Sequence, residues 1–492
     1  MRSSSSYPLV AVLLVAFLLS VTGIGRESLW RDEVDTIRFA AEAWAELAGS
    51  ETVFGAAAQL PHYLTRPGWN GPLYFLLMEP WLRVAGHSEL ALRLPSALAG
   101  AAAVALGYVM GARLGGAAVG RLSASLLAVN PYLAWYAGEG KMYAMITALA
   151  LLSSYLLMKA CGSRRKRFWL AYVVVTSLLF YTHILTPLLL PVQVALVLLR
   201  HPRVAVSKEA LVSVGLLVLP YLPLLLWQWP HVVQPAETGF PFVSLPTMGQ
   251  RMGEVFSRGI IGWPAGVPLT LSLGAMALGL LVGLRPWREL TVGLGLVVWA
   301  GLPILELYLI SLRRPLFTER YLIWTLPGWL ILASRGLTGL AGRGRAGRLV
   351  ALGWTAGLVT VGMLGIGYQW GTPVRADFRS AASLVADHYQ ADELIIFQIP
   401  YLQATFDYYA PELAYQAAEG PYTNWGNPAE ETEAYLQAVT AGYGRVWLVL
   451  SEVPMWDARG LTLGWFQSQA RPVREAAFNR VQVIQWEWDH GP

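Results

Sequence analysis

Runs of apolar residues, each about as long as a bilayer core is thick, recur along the first three quarters of the chain with short polar or basic breaks between them. A helix rises about 1.5 Å per residue, so roughly 20 such residues cross the hydrocarbon. The first run covers 7–24. After a polar stretch come 90–112, 118–137, 142–159, 167–182, 184–199, 209–228, 267–284, 290–310, 320–334 and 349–369. The pattern predicts a polytopic α-helical membrane protein of about eleven spans, within roughly ten to thirteen. One further stretch, 72–85, is apolar but short and broken by Glu79, Pro80 and Arg83, which suits an interfacial helix rather than a crossing. The first run is too long for a signal peptide and has no small-residue cleavage site after it, so it is read as the first helix.

Basic residues orient these spans. Arg164-Arg165-Lys166-Arg167, Arg200 and Arg203, Arg285 and Arg288, and the group Arg343, Arg345 and Arg348 all fall on the side of the N-terminus. By the positive-inside rule that side is cytoplasmic, in a cell (plasma) membrane. The opposite, outer side then collects the loop 26–89 with Asp32 and Glu33, then Glu139 and Lys141, His183, the loop 230–266, and Arg313, Arg314, Glu319 and Arg320. Glu306 is the clearest ionisable residue inside a run rather than at its end.

From about 371 the periodicity changes. Amphipathic stretches at 377–389 and 430–439 alternate with β-like runs at 393–399, 445–451 and 481–488, which predicts a small α/β layer. The tail carries 7 Lys+Arg against 15 Asp+Glu, whereas the residues before it carry 29 against 16. Two domains are therefore expected, 1–370 in the membrane and 371–492 as a soluble α/β domain, which an odd number of crossings places outside the membrane. Its tryptophans, 425, 447, 456, 465, 486 and 488, either fill a small core or stack on sugars. The tail has no phosphate loop, His/Cys cluster or nucleophile elbow.

Composition confirms the class: 55% of residues are hydrophobic and 14% charged, far from the roughly 25% charged of a soluble domain. The lone cysteine, Cys161, excludes a disulfide framework. The net charge of +5 is explained by inner loops meeting anionic lipid, so no nucleic-acid partner is expected. The Gly-rich stretches 111–120 and 342–347 read as turns and close helix packing.

Three constellations carry candidate chemistry. Asp32 and Glu33 stand just beyond the first span, where acids either line a substrate path or sit as solvated charges or a helix cap. Arg313, Arg314 and Arg320 break the positive-inside rule. Cationic forks of this kind suit an anionic phosphate, or they pair with lipid headgroups or Glu319. His183, at the outer end of a span, is either a satisfied helix-end histidine or a ligand for a metal or a phosphate oxygen.

In order along the chain, Leu29-Trp30-Arg31-Asp32-Glu33, Gly71-Pro72-Leu73-Tyr74-Phe75-Leu76-Leu77, Leu92-Arg93-Leu94-Pro95-Ser96, Asn130-Pro131-Tyr132 with Trp135-Tyr136, Glu139-Gly140-Lys141-Met142-Tyr143, Tyr181-Thr182-His183, Arg320-Tyr321-Leu322-Ile323, Asp377-Phe378-Arg379 and Arg445-Val446-Trp447-Leu448-Val449-Leu450 form a recurring set. With this set the chain resembles the polyprenyl-phosphate-sugar-dependent GT-C glycosyltransferases of the protein O-mannosyltransferase and aminoarabinose transferase kind. Where that family commonly reads Gln-Glu-Ala-Arg-Met-Tyr, this chain has Gly138-Glu139-Gly140-Lys141-Met142-Tyr143. Where it commonly has a histidine before Pro-Pro-Leu-Tyr, this chain has Asn70-Gly71-Pro72.

The resemblance implies an enzyme that moves a hexosyl or pentosyl group, with inversion, from a polyprenyl phosphate to an acceptor hydroxyl at the outer face. The acceptor would be a glycolipid, polysaccharide or protein. It casts Asp32 as the base, with Glu33 orienting it or helping to hold a divalent cation such as Mg or Mn. Arg320, with Lys141 or Arg313, would hold the departing phosphate, while Glu139 and His183 would bind acceptor or metal. The rival classes are a transporter or flippase of lipid-linked sugars, which should carry charges at mid-membrane depth, and a non-catalytic scaffold.

Overall fold

The computed structural model describes residues 7–48, 71–163, 165–233, 240–261, 266–282, 287–424, 426 and 428–488. Asn70, Arg164, Arg285 and Trp425, together with residues 49–69 of the first long loop, lie outside them. Chain contacts gather into two compact units, Met1–Ile24 with Phe39–Thr372, and Gly25–Arg38 with Pro373–Pro492.

The first unit is helical. Its helices are α1 (Tyr7–Val21), the later part of α2 (Arg31–Ala48), α3 (Pro72–Ala85), α4 (Glu89–Gly115), α5 (Ala117–Ala128), α6 (Pro131–Ala137), α7 (Tyr143–Ser163), α8 (Lys166–Thr182), α9 (Leu189–Arg200), α10 (Lys208–Val233), α11 (Leu245–Arg258), α12 (Gly266–Val282), α13 (Trp287–Ser311), α14 (Leu326–Ala341) and α15 (Arg345–Gly371). Among the described residues, α4, α7, α15 and Glu289–Ser311 of α13 are long and apolar enough to cross a membrane; Leu9–Val21, Ala117–Ala128, Thr186–Arg200 and Gly266–Leu281 are shorter apolar helices. Many helices expose apolar stripes: Val10, Leu14 and Leu18 on α1, Leu170, Val174 and Leu178 on α8, and Leu349, Val350 and Leu352 on α15. The first two stripes, at i, i+4, i+8, lie on one helix face each, and so much exposed hydrocarbon suits lipid rather than water.

Three expected runs are interrupted. The run 118–137 breaks at Asn130-Pro131, because Pro131 has no amide hydrogen to continue α5 and Asn130 caps a new helix. The run 184–199 begins with a 3-10 turn, Thr186–Leu188, and the run 320–334 with another, Glu319–Thr325, before α9 and α14 start. Both interruptions leave polar residues at helix junctions. The glycines of 111–120 serve packing, as expected: a Cβ on Gly120 would meet the Tyr108 carbonyl at 2.7 Å, so α4 and α5 touch backbone to backbone there. Arg93, fully buried on α4, donates to the Ile24 carbonyl just beyond α1. Arg335, 3% exposed on α14, pairs with Glu289 on α13 at 2.7 Å.

The second unit is a mixed sheet with helices on both faces. Its strands β1 (Leu394–Phe397), β2 (Gln416–Glu419), β3 (Arg445–Ser451), β4 (Arg471–Phe478) and β5 (Val481–Glu487) run in the order β2-β1-β3-β5-β4, parallel across β2, β1 and β3 and antiparallel across β3, β5 and β4. One face, with Ile395, Phe397, Trp447 and Val449, packs against α16 (Phe378–His388) and α17 (Gln403–Tyr409). The other, with Leu394, Ile396, Val446 and Leu448, packs against Leu436 of α18 (Ala429–Thr440) and Phe466 of α19 (Leu461–Gln469). Burial on both faces is why β1 and β3 read as continuous apolar runs. The tryptophans fill this core: Trp447 is fully buried and donates to Glu393 at 2.6 Å, Trp486 is buried, and Trp465 and Trp488 pack around it.

The segment 25–38, with the first two turns of α2, groups with the tail rather than with the rest of the first long loop.

Candidate functional site

In the helical unit, three chain breaks bring polar side chains to one place. Asn130 starts α6 by accepting from the amides of Tyr132 and Leu133, both at 3.1 Å, while its amide group donates to the Phe256 carbonyl at 2.8 Å. This fixes Tyr132 and Tyr136 one turn apart with ring centres 5.3 Å from each other. The aromatic chain continues from Tyr136 to Tyr143 at 4.9 Å, from Tyr143 to His183 at 6.0 Å, and from His183 to Tyr321 at 5.1 Å. The Tyr132 hydroxyl donates to the Glu319 carbonyl at 2.6 Å, which anchors the 3-10 turn carrying Arg320. The Arg320 guanidinium lies 5.8 Å from the Tyr143 ring centre.

The turn between α6 and α7 holds two more of the expected residues. Glu139 is 1% exposed and Lys141 8%. The Lys141 amide donates to the Glu139 carbonyl at 2.7 Å, and its own carbonyl accepts from Ser96 at 2.9 Å. Its ammonium sits 5.6 Å from the Phe75 ring centre. Tyr136 lies within electrostatic reach of both Glu139 and Arg320.

His183 occupies the turn after α8. A Cβ on Gly71 would fall 2.0 Å from the Thr182 carbonyl, so only glycine lets the start of α3 lie against this turn. The Leu185 amide donates to His183 Nδ1 at 3.2 Å, which leaves the ring proton on Nε2. That nitrogen is buried and makes no hydrogen bond among the described residues. Burial pushes the imidazole down to about 3, with the charge of Arg320 adding to the push, so the ring is neutral. His183 thus caps the end of α8 with a neutral ring whose Nδ1 is held by the Leu185 amide. A protonated Nε2 has no lone pair for a metal.

In the second unit, α2 begins at Arg31 with Asp32 and Glu33 in its first turn, where acids complement the helix dipole. Consecutive helical residues are separated by about 100° around the axis, so the two carboxylates point apart. Asp32 is half-buried and Glu33 fully buried. Glu33 accepts from the Trp30 amide at 3.4 Å and pairs with Arg375 at 3.4 Å. The same guanidinium lies 3.7 Å from Glu27, whose Oε1 also accepts from the amides of Val374 at 2.6 Å and Arg375 at 3.2 Å. Ser28 donates to Asp377 at 2.9 Å, the Leu29 amide donates to the Tyr409 hydroxyl at 2.6 Å, and the Arg31 guanidinium lies 3.7 Å over the Tyr401 ring.

Of the expected residues, Glu139, His183 and Arg320 thus share one aromatic-walled cluster, with Lys141 on the same turn as Glu139. Asp32 and Glu33 are adjacent but diverge. Arg313 is exposed on the turn after α13, outside the contacts of that cluster. Among the described residues, no three His, Cys, Asp or Glu side chains stand together as a metal-binding group. Arg375 went unmarked in the sequence, although it lies two residues before the Asp377-Phe378-Arg379 motif. The tyrosines of the cluster stood inside quoted motifs but were given no role of their own.

A multi-pass membrane protein with the GT-C glycosyltransferase fold is the class that this architecture defines. Residues 66–227 match the family model described as dolichyl-phosphate-mannose-protein mannosyltransferase. ArnT from Cupriavidus metallidurans, solved bound to undecaprenyl phosphate, superposes with a TM-score of 0.60 at 13% identity over 98% of each chain. The Archaeoglobus fulgidus oligosaccharyltransferase, in complex with Zn and sulfate, gives 0.59 at 11% identity over 90% of this chain and 67% of that one. The arabinofuranosyltransferase AftD from Mycobacteria gives 0.53 at 16% identity over 99% of this chain and 42% of its own. No protein of curated function matches by sequence. The resemblance drawn from the motifs therefore holds, by sequence over 66–227 and by fold over nearly the whole chain.

Proposed function

We propose that the protein transfers a sugar from a polyprenyl-phosphate carrier to an acceptor hydroxyl at the outer membrane face, with inversion at the anomeric carbon. The observation that carries this reading is the pairing of a permanent cation, Arg320, with the neutral, buried N–H donor of His183 in a tyrosine-walled turn cluster. Preorganised donors of this kind stabilise charge that develops on a leaving group, and a departing polyprenyl phosphate gains such charge. Apart from Glu319, Arg320 and Tyr321, the cluster falls within the segment matched to the mannosyltransferase family model, and two proteins of the same fold, ArnT and the Archaeoglobus fulgidus oligosaccharyltransferase AglB, were solved with undecaprenyl phosphate and dolichol-phosphate.

In this reading Asp32 takes the proton from the acceptor hydroxyl as its oxygen attacks the anomeric carbon. The bond from that carbon to the phosphate oxygen breaks on the opposite side, and the phosphate leaves with the bonding pair. Arg320, Lys141 and the His183 Nε2–H hold its oxygens. Glu139 binds the acceptor. Glu33, buried and paired, orients the segment and takes no proton. The N-terminus is cytoplasmic, the tail extracytoplasmic.

Purified protein in lipid nanodiscs, supplied with a panel of radiolabelled polyprenyl-phosphate sugars and with Asp32→Asn as the control, tests this. Turnover of one donor that vanishes in the variant is expected and would name the sugar. Retained binding of every donor without turnover, with and without added hydroxyl acceptors, would instead favour a carrier of lipid-linked sugars.

A further inference from the structure

The buried pair Glu33–Arg375 joins two stretches of chain that lie far apart in sequence. We propose that Arg375 is a positioning residue for the reaction: from the soluble tail, it fixes the first turn of α2 so that Asp32 is held in working geometry. This rests on the reading of Asp32 as the base.

A single guanidinium, itself only 9% exposed, spans Glu27 at 3.7 Å and Glu33 at 3.4 Å. It therefore ties the chain on both sides of Trp30, one carboxylate before α2 and one within its first turn. The strap that carries it is itself anchored in the tail: Asn479 donates to the Arg375 carbonyl at 2.6 Å, Arg480 to the Val374 carbonyl at 3.0 Å, and the Asp377 amide to the Asn479 carbonyl at 2.9 Å. Arg379 adds a bond to the Gly25 carbonyl at 3.3 Å. Glu33 sits at the side of the helix that faces this strap, and the residue before it points elsewhere because of the helical rotation. Holding Glu33 in its buried site thus sets the azimuth of Asp32. A planar fork can bridge two carboxylates in fixed directions, whereas a lysine offers one compact charge.

A plain folding staple would also use an ion pair, so the test must separate the two roles. In nanodiscs, with the donor found by the panel above, Arg375→Lys and Arg375→Met are compared with the parent protein for kcat, for binding of sugar-free undecaprenyl phosphate, for melting temperature and for amide exchange in 27–36. Misplacing a catalytic group by about 1 Å costs about 10²-fold in rate. Arg375→Met is therefore expected to lower kcat about 10²-fold, with binding of undecaprenyl phosphate within twofold and exchange in 27–36 accelerated; Arg375→Lys should recover part of the rate. Combined with Asp32→Asn, Arg375→Met should lower kcat no further while still loosening 27–36.

Full kcat in Arg375→Met despite loosened exchange would overturn the proposal. So would unchanged exchange, whatever the donor. Full activity in Asp32→Asn would remove the base assignment but leave the exchange result standing, so the two failures are distinguishable. If Arg375→Met does not fold, Glu33→Gln keeps the side-chain volume and removes only the charge. It should then give at least a tenfold loss of kcat with folding retained, and an unchanged kcat would be decisive against the idea.

Discussion

The segment bearing Asp32 and the turn cluster bearing Arg320 are built on opposite plans. Around Asp32 nearly every neighbour is spent on the protein itself: Glu27 holds two amides, Glu33 and Glu27 share Arg375, Ser28 holds Asp377, and Arg31 lies over Tyr401 and beside Asp35. Around His183 the contacts are tilted aromatic rings, with a buried N–H left over among the described residues. A buried donor without a partner costs about 1–3 kcal/mol, which a ligand accepting from it would recover. The first plan fixes a position; the second recognises a group.

The largest test of this contrast is Asp32→Asn, which removes a base and almost no volume. Turnover should fall by about 10³-fold or more, with donor binding within a few-fold of the parent. A matching loss of donor binding would place Asp32 with the recognising group and break the comparison. Next in size is Arg320→Ala. Loss of a preorganised cation at a developing phosphate charge should cost about 10²-fold to 10³-fold in kcat/KM, and here binding of undecaprenyl phosphate should weaken as well. His183→Phe keeps the ring stacked between Tyr143 and Tyr321 while deleting the Nε2–H. A drop of about tenfold to 10²-fold in kcat/KM is expected, equivalent to one hydrogen bond to a charged acceptor. An unchanged rate would return His183 to a packing role.

These two plans were unequally legible in the sequence. Apolar runs mark helices because bilayer thickness sets their length, and the described residues of these runs are mostly helical. The interruptions at Asn130, Thr186 and Glu319 were hidden, because a cap or a 3-10 turn alters the chain without altering its hydrophobicity. Those hidden breaks are what expose backbone and create the turn cluster. In the tail, β1, β3 and β5 were visible as apolar runs, whereas β2, with the sequence Gln-Ala-Ala-Glu, and β4, which opens Arg-Pro, are edge strands whose residues carry no strand signal. The Asp32-Glu33 pair was legible as a site but not as two roles. Only the partner of Glu33, more than three hundred residues away, separates them.

The smallest expected effect follows from Asp377, where the clamp on 25–38 is titratable. Burial alone would raise this carboxyl, but hydrogen bonds from the Ser380 hydroxyl and amide, a further one from Ser28 and the charge of Arg379 outweigh it, so the carboxyl is held below its ordinary value. A carboxyl depressed in the folded state contributes stability above its unfolded value and loses it as pH falls through the folded one. Acidification through that window should therefore lower the melting temperature of the parent protein more than that of Asp377→Asn, which carries no charge to lose. Amide exchange at 27–30 should accelerate over the same window in the parent alone. Asp377 is not part of the Arg320 cluster, so undecaprenyl phosphate binding should change equally in the two proteins. A pH response confined to binding, with melting unchanged, would mean that the charged clamp and the recognising cluster had been told apart on the wrong residues.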